Sequence, residues 1–223
     1  MQNRLVFIGL FLSLSLSLFC QVHIGFKAGI NYSKTNLIFN IQPTDLVKRI
    51  NHPGLHFSIP VEIKVNDLLT LQPELTYTDE GSIFYVNRLE EERIYNNLLH
   101  YLKLPLLAKI LLLETEDYQI SIHGGVTPAY AIGIRSISYP QFVGVVREEP
   151  VSFQATNTNR FDLSLNAGFS IEKTIAKEIK MSLGGRYNLG VYDIDNSVER
   201  TSFTESIYLS FGLLIPLKKV IKS

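Results

Sequence analysis

The 223-residue chain is 46% hydrophobic and 19% charged, a balance that excludes wholesale disorder and leaves enough apolar material for a core or a lipid-facing surface. Its 21 basic and 21 acidic residues cancel, which argues against a nucleic-acid partner. The single cysteine, Cys20, excludes an internal disulfide framework and a cysteine-based zinc cluster, and we expect no cofactor and no metal site.

Residues 1–20, MQNRLVFIGLFLSLSLSLFC, have the form of a secretory signal peptide. Arg4 supplies a positive start, and the apolar stretch from Leu5 to Phe19 has the length of a signal-peptide core but is short for a transmembrane helix. We expect cleavage after Cys20, while lipidation of this cysteine stays open as the competing interpretation. In either case the mature chain leaves the cytoplasm. No later apolar run approaches 18 residues, so no membrane-spanning helix is expected.

The rest of the chain is organised as eight runs in which apolar and polar residues alternate. The runs cover 22–32, 55–65, 68–78, 100–113, 118–135, 161–173, 178–192 and 206–217. A period of two predicts β-strands with one apolar face. Their length suits strands that cross a membrane at a tilt, which need about 9–11 residues. Pro105, inside the fourth run, argues against reading that leucine-rich segment as a helix.

The closing run, Ser206 to Leu217, has the clearest pattern. Its odd positions are all aliphatic or aromatic, whereas its even positions begin with Tyr208, Ser210 and Gly212. We expect the odd residues to face lipid and the even ones to face the interior. This strand should pair with the first run, 22–32, and with the seventh, which closes the sheet into a ring.

The connections between runs alternate in length. Polar stretches at 34–53, 79–97 and 136–160 are predicted loops, whereas the intervening connections near Asn66-Asp67 and at 114–117 and 174–177 are short. In an exported chain this asymmetry places the short turns in the periplasm and the long loops outside. We therefore predict an all-β fold, an eight-stranded antiparallel up-and-down transmembrane β-barrel. It would span 21–218, after the signal peptide and before a short tail at 219–223.

The segments GFKAGINYS, HYLKLPLLAKI and IYLSFGLLIPL carry a resemblance to a known family. They resemble the PorT-like, or porin-like, outer-membrane β-barrel proteins of Bacteroidetes, over roughly residues 22–217. The resemblance implies a small barrel of the OmpA/OmpX type in the cell outer membrane. One type of member is linked to type IX secretion, so it also makes a role in secretion an expectation to test.

No residue set has the spacing of an active site, and we expect no enzymatic activity. There is no HExxH metal motif, no GxSxG elbow and no phosphate-binding glycine loop. His23, His56 and His123 share the interior parity and are best read as hydrogen-bonded interior histidines. Asp162, near the outer end of its strand, is the one acid whose place would suit a catalytic pair at the barrel rim.

Charged residues at interior positions are the more informative set. They are Lys27, Glu62, Lys64, Glu74, Lys103, Lys109, Asp162, Glu172, Lys180 and Arg186. Because an unpaired buried charge is costly, we expect a salt-bridge network that plugs a lumen only wide enough for side chains. The predicted protein is a closed, non-enzymatic platform. A small-solute channel and a secreted or periplasmic lipocalin-like ligand-binding barrel remain the alternatives.

The expected partners follow from this interpretation. They are outer-membrane lipid, the barrel-insertion machinery, and a secretion or surface partner that binds loops 34–53, 79–97 and 136–160. We expect the barrel to be a monomer.

Overall fold

The computed structural model describes most of the chain beyond residue 20. The described residues are 21–39, 46–88, 91–140, 147–150, 153, 156–176, 179–197 and 200–217. The predicted signal peptide and the predicted tail at 219–223 lie outside them. Within the described residues no helix is both long and apolar enough to cross a membrane.

All regular structure in the described residues is β-sheet. The strands are β1 (Val22–Phe39), β2 (Leu46–Lys64), β3 (Leu69–Arg88), β4 (Glu91–Lys103), β5 (Leu106–Glu114), β6 (Tyr118–Pro140), β7 (Arg147–Pro150), β8 (Phe161–Ala176), β9 (Ile179–Gly190) and β10 (Arg200–Pro216). Every described pairing between them is antiparallel. The sheet therefore has the all-β antiparallel character that the alternating runs predict.

The strands form a closed ring. Each strand pairs with the next around the barrel, and β10 returns to β1 with a register that runs from His23 opposite Pro216 to Phe39 opposite Arg200. The seventh predicted run, now β9, lies on the other side of β10. Both neighbours predicted for the closing strand are therefore confirmed, and the ring leaves no continuous sheet edge along its wall.

The described residues form ten strands rather than the eight runs predicted. One extra strand comes from a break at Leu104 and Pro105, on either side of which β4 and β5 pair with the same two neighbours, β3 and β6. Proline has no backbone N–H to donate, so a regular ladder is interrupted there. The other addition is β7, a four-residue strand that pairs with β6.

The prediction that the three polar stretches are long loops is largely wrong. Stretch 34–53 is occupied by the upper parts of β1 and β2, stretch 79–97 by β3 and β4, and stretch 136–160 contains the end of β6 and all of β7. The physical reason is that loss of apolar alternation signals loss of an apolar environment on one face. It does not signal loss of backbone pairing, which continues between strands whose outward side chains are no longer consistently apolar.

The predicted short connections near Asn66-Asp67 and at 114–117 are confirmed, whereas residues 174–176 of the third continue β8 and residue 177 lies outside the described residues. Between β2 and β3 the side chain of Asn66 accepts hydrogen bonds from the backbone N–H groups of Leu68, at 2.9 Å, and Leu69, at 2.7 Å. Such a side-chain bond to the backbone two or three residues ahead stabilises a tight turn. The barrel therefore has a short-connection end, which holds this turn and 115–117, and a long-connection end, where β3 runs on to Arg88.

The two faces of the wall separate as the alternation predicts. Along β10 and the residue that follows it, the odd residues from Ile207 to Leu217 are 43–55% exposed, whereas Tyr208 is 2% exposed and Leu214 is fully buried. The other strands around the ring also carry exposed apolar residues on their outward faces, including Phe26, Leu75, Ile122 and Phe169. Together they form a continuous outward apolar band, which is the surface expected to contact lipid.

A cation scan along β10 tests this band. Leu213→Arg, near the middle of the band, should lower the free energy of unfolding by about 2–4 kcal/mol, because an arginine at the bilayer midplane cannot reach water. Leu217→Arg, on the same face at the end of the band, should cost only about 0–1 kcal/mol. Urea unfolding in lipid vesicles measures both. An equal cost at the two positions would contradict the placement of the band.

Candidate functional site

The candidate functional residues of the described chain lie inside the barrel. Their charged side chains fall at three levels between the short-connection end and the long-connection end. Most are almost completely buried: Glu62, Glu74, Glu80, Lys103, Lys109 and Glu172 are each between 2% and 5% exposed. Burial of this degree makes the pairing of each charge decisive for stability.

The first level lies near the short-connection end and is centred on Lys109. Its ammonium donates to Glu62 at 2.7 Å and also to Glu172. A second lysine, Lys180, lies 3.4 Å from Glu172 and donates to the amide oxygen of Gln119 at 2.8 Å. Two ammonium groups thus face two carboxylates, and the level is electrically balanced.

The middle level is centred on Glu74. Its carboxylate accepts from Lys27 at 3.2 Å, from Arg186 at 2.8 Å and from the amide of Gln72 at 2.6 Å. Gly212 stands beside Lys27: a methyl group there would come within 2.5 Å of the lysine Cγ and of a backbone oxygen. The glycine therefore leaves the room that the lysine side chain occupies, and two cations share one carboxylate.

The third level, toward the long-connection end, is built around Glu80. Lys103 donates to its carboxylate at 2.6 Å, Ser206 donates at 3.2 Å, and the Tyr208 hydroxyl donates as well. The Tyr208 ring lies between two cations, with the Arg186 guanidinium carbon 5.3 Å and the Lys103 ammonium 5.9 Å from its centroid. This ring links the third level to the middle one through cation–π contacts.

Sequence reasoning missed Glu80 because it lay inside the predicted loop 79–97. The signal that could have found it is parity: Glu74, Thr76 and Thr78 are interior positions, and Glu80 continues the same series. The interior pattern in fact persists beyond the point where the outward face loses its apolar residues.

Asp162 and Lys64 were predicted to join the network, and the structure places them differently from the other eight. Asp162 is buried and accepts from the Thr204 hydroxyl at 2.7 Å, and no described cation lies within ion-pair distance of it. Lys64 sits at the rim of the short-connection end, where its ammonium lies 3.0 Å from Asp67. The remaining eight predicted residues form ion pairs inside the barrel.

Two cavities lie between and below these levels. A cavity of about 210 Å³ opens at the short-connection end and is lined by Glu62, Lys109 and His23 among others. A chamber of about 20 Å³ in the middle of the lumen is lined by His56 and His123. Of the three histidines with interior parity, two therefore share a chamber, and His23 lies apart from them.

An apolar cap covers the charged levels at the long-connection end. Ile194, in the connection between β9 and β10, is 3% exposed and packs with Leu99, Tyr101 and Ala131 of the inner wall. Its backbone forms two hydrogen bonds: its N–H donates to the carbonyl of Ser202 at 3.0 Å, and its carbonyl accepts from the backbone N–H of Asn159 at 2.7 Å. The cap is thus an inward-folded connection that the sheet holds in place.

Polar pairs ring the outer surface just beyond the apolar band. On β3 and β4, His100 Nδ1 lies 2.6 Å from Asp79, and its ring stacks on Tyr77. On the opposite side Glu205 accepts from Asn36 at 2.7 Å and lies 3.0 Å from the Lys34 ammonium. Partial burial opposes ionisation of Glu205, but these partners outweigh it and hold the pKa of the carboxyl below its ordinary value.

These outer pairs lie where a membrane would meet water. Aromatic side chains accompany them at the same edge of the band, among them Tyr32, Tyr77, Tyr130, Phe161 and Tyr187. Aromatic girdles of this kind flank the apolar zone of membrane barrels. Across the described chain no group of three or more histidine, cysteine or acidic residues could hold a metal ion.

A closed antiparallel sheet with an apolar outer band, aromatic residues at its edge and a charged interior is the construction of a membrane-spanning β-barrel. The sequence agrees: residues 13–211 match the family described as outer membrane protein beta-barrel domain. The chain belongs to this family, and the family indicates an outer-membrane location. This membership disfavours the soluble lipocalin-like barrel considered from the sequence.

Solved structures similar to the chain are outer-membrane proteins of different kinds. Neisserial surface protein A is 11% identical, with a TM-score of 0.44 and coverage of 88% of this chain and 97% of that one. OprG from Pseudomonas aeruginosa is 9% identical, with a TM-score of 0.46 and coverage of 86% and 95%. The outer membrane protease OmpT from Escherichia coli is 10% identical, with a TM-score of 0.48 and coverage of 88% and 97%. No curated protein matches the chain.

Two neutral substitutions at the third level should differ in their effect on stability. Glu80→Gln leaves Lys103 without its carboxylate and should cost about 3–5 kcal/mol, the usual penalty for removing one partner of a buried pair. Asp162→Asn keeps an acceptor for Thr204 and removes a charge that no described cation pairs, so stability should be unchanged or higher. Urea unfolding in the same vesicles measures both. A larger loss in Asp162→Asn than in Glu80→Gln would show that the pairing is assigned wrongly.

Proposed function

We propose that the protein is a non-enzymatic, eight-stranded outer-membrane barrel with a sealed lumen, and that its long-connection end is an extracellular binding platform. The eight-strand count treats β4 and β5 as one strand of the wall, since both follow the same course between β3 and β6. It treats β7 as an extension of the wall beyond the membrane, because β7 pairs with β6 at residues 135–138, past the apolar band.

The observation that carries the sealed lumen is the stack of buried ion pairs. Three levels of paired side chains follow one another along the axis, and the aromatic ring of Tyr208 fills the space between the upper two. An eight-stranded barrel is just wide enough for side chains to fill. Above them the Ile194 cap adds an apolar closure that is also poor at passing ions.

The length of the strands beyond the apolar band supports the proposal of a binding platform. From Asp79 to Arg88, β3 continues beyond the apolar band and remains paired with β4 down to the Arg88–Glu91 register. At about 3.4 Å per residue this is roughly 30 Å of strand, shortened by tilt. A paired wall presents side chains at fixed spacings, so it is better preorganised for binding a partner than a loose loop.

The orientation of the barrel across the outer membrane follows from the export of the chain into the periplasm. A chain that enters the membrane from the periplasm with a cleaved signal peptide has its amino terminus and short turns on that side. The long-connection end then faces outward, where a surface partner can reach it. The resemblance to PorT-like proteins of Bacteroidetes supports a link to secretion as one use of this platform.

The outward Asp79–His100 pair is assigned to anchoring rather than to catalysis. The hydroxyl that contacts His100 is the phenol of Tyr77, at 3.2 Å, which is a weak nucleophile at neutral pH. Both side chains face the outer surface beside the aromatic girdle. In that place they suit contacts with lipid headgroups and with water.

Planar-bilayer recording tests the sealed lumen directly. The purified, refolded barrel should show no large, steady conductance, because paired side chains occupy the lumen at every level. A general porin in the same bilayers is the positive control for insertion and current. Large, stable openings from the monomer would contradict the proposal and favour the small-solute channel.

Site-specific photo-crosslinking in intact cells tests the platform. A photoreactive residue in place of Tyr85, on the upper part of β3, should yield a discrete high-mass adduct with a surface partner. The same residue in place of Tyr130, at the membrane edge, is the matched control and should not yield it. Failure of Tyr85 and of other upper-wall positions to give an adduct would argue against a binding platform.

A further inference from the structure

The chamber of about 20 Å³ in the middle of the lumen has the properties of an anion site. Its lining includes the side chains of Lys27, His56, Ser170 and Arg186, together with Gly184 and Gly185. Gly184 faces the lumen beside Ser170 and Ser210 and contributes no side chain, which leaves the space open between the charged residues, whereas the missing side chain of Gly185 would point outward against the Phe169 ring. A volume of this size exceeds the roughly 10–15 Å³ that a single water molecule needs.

Hydrogen-bonding groups around this chamber lack protein partners. Among the described residues, Arg186 Nε, Ser170 Oγ and His56 Nδ1 are buried and have no hydrogen-bond partner. The arginine Nε–H can only donate, and the serine hydroxyl can rotate to donate. Buried polar groups are normally satisfied, so unpaired donors on residues that line one chamber point to a bound acceptor.

The charge balance around the chamber favours an anion over a neutral acceptor. Lys27 and Arg186 share the single carboxylate of Glu74, which leaves one positive charge in excess among the lining residues. The next carboxylate along the axis, Glu80, pairs with Lys103 and accepts from Tyr208, and the Asp162 carboxylate lies beyond it, beside Thr204. An uncompensated charge in the interior is costly, and a bound anion compensates it.

We propose that this chamber binds one small monatomic anion, chloride under physiological conditions. The small size of the chamber favours chloride, which is only slightly larger than water, over phosphate, sulfate and carboxylate ligands, which are several atoms wide. The ion accepts hydrogen bonds from Arg186 Nε and Ser170 Oγ and completes the charge balance of the middle level. This binding site goes beyond the proposed function, because it holds whether or not the outer wall binds a partner.

Bromide replaces chloride chemically and can be located by its anomalous scattering. Crystals of the full barrel, refolded and grown in bromide, should show an anomalous peak in the chamber within about 3.5 Å of Arg186 Nε, a typical donor-to-halide distance. Density in the chamber without an anomalous signal would identify water and overturn the proposal. A peak elsewhere together with none in the chamber would overturn it equally.

The anion dependence of stability supplies a second test in solution. Refolded in chloride and in gluconate at equal ionic strength, the wild-type barrel should unfold at a higher urea concentration in chloride, since a ligand that binds only the folded state stabilises it. Ser170→Ala should reduce this chloride increment. Ser182→Ala is the matched control, because Ser182 is equally buried in the lumen but does not line the chamber, and it should keep the increment.

Two other results of the comparison between chloride and gluconate would overturn the proposal. Equal midpoints for the wild type in chloride and gluconate would overturn the proposal, since gluconate is too large for the chamber. An increment that is lost equally in Ser170→Ala and Ser182→Ala would place the anion outside the chamber and overturn it too. Because folding is measured directly, a conducting barrel would leave these outcomes unaffected and would contradict only the sealed lumen.

Discussion

Pairing of β10 with β1 is the constraint on which the rest of this barrel depends. A strand in lipid has no water to satisfy its N–H and C=O groups, so a spanning sheet must have no free edge. Seventeen residue pairs, from His23–Pro216 to Phe39–Arg200, close the ring here. Once the ring is closed, side-chain parity leaves only two environments, an outer one suited to lipid and a narrow inner one.

The narrow interior then dictates how charge is arranged. With room for little besides side chains, a buried ammonium such as Lys109 must find its carboxylates directly across the lumen, in Glu62 and Glu172. Pairs of this kind add little net stability over apolar packing, but removal of one member is costly. They therefore act mainly to define which side chains fill the lumen. Lys27 and Arg186 share one carboxylate, and this excess of positive charge is the reason to propose a bound anion.

Much of this arrangement could be predicted from the sequence, because parity is a local property of a strand. The outward side of the closing strand, the turn at Asn66 and the interior position of most charged residues all follow from a period of two. The upper wall could not be predicted, because its outward side chains are no longer consistently apolar and the alternation is lost there. Glu80 was overlooked for this reason, although its place in the series of interior residues indicates its direction.

The sequence by itself determined the class of fold, the facing of the residues in the alternating runs and most of the interior charges, since these depend on alternation and composition. Only the tertiary structure decided which charges meet, because partners such as Arg186 and Glu74 are 112 positions apart and are brought together by the register around the ring. The same register left Asp162 without a cation among the described residues and brought Ile194 against Leu99, Tyr101 and Ala131 of the inner wall. Contacts across a lumen depend on strand tilt and stagger, which no single strand encodes.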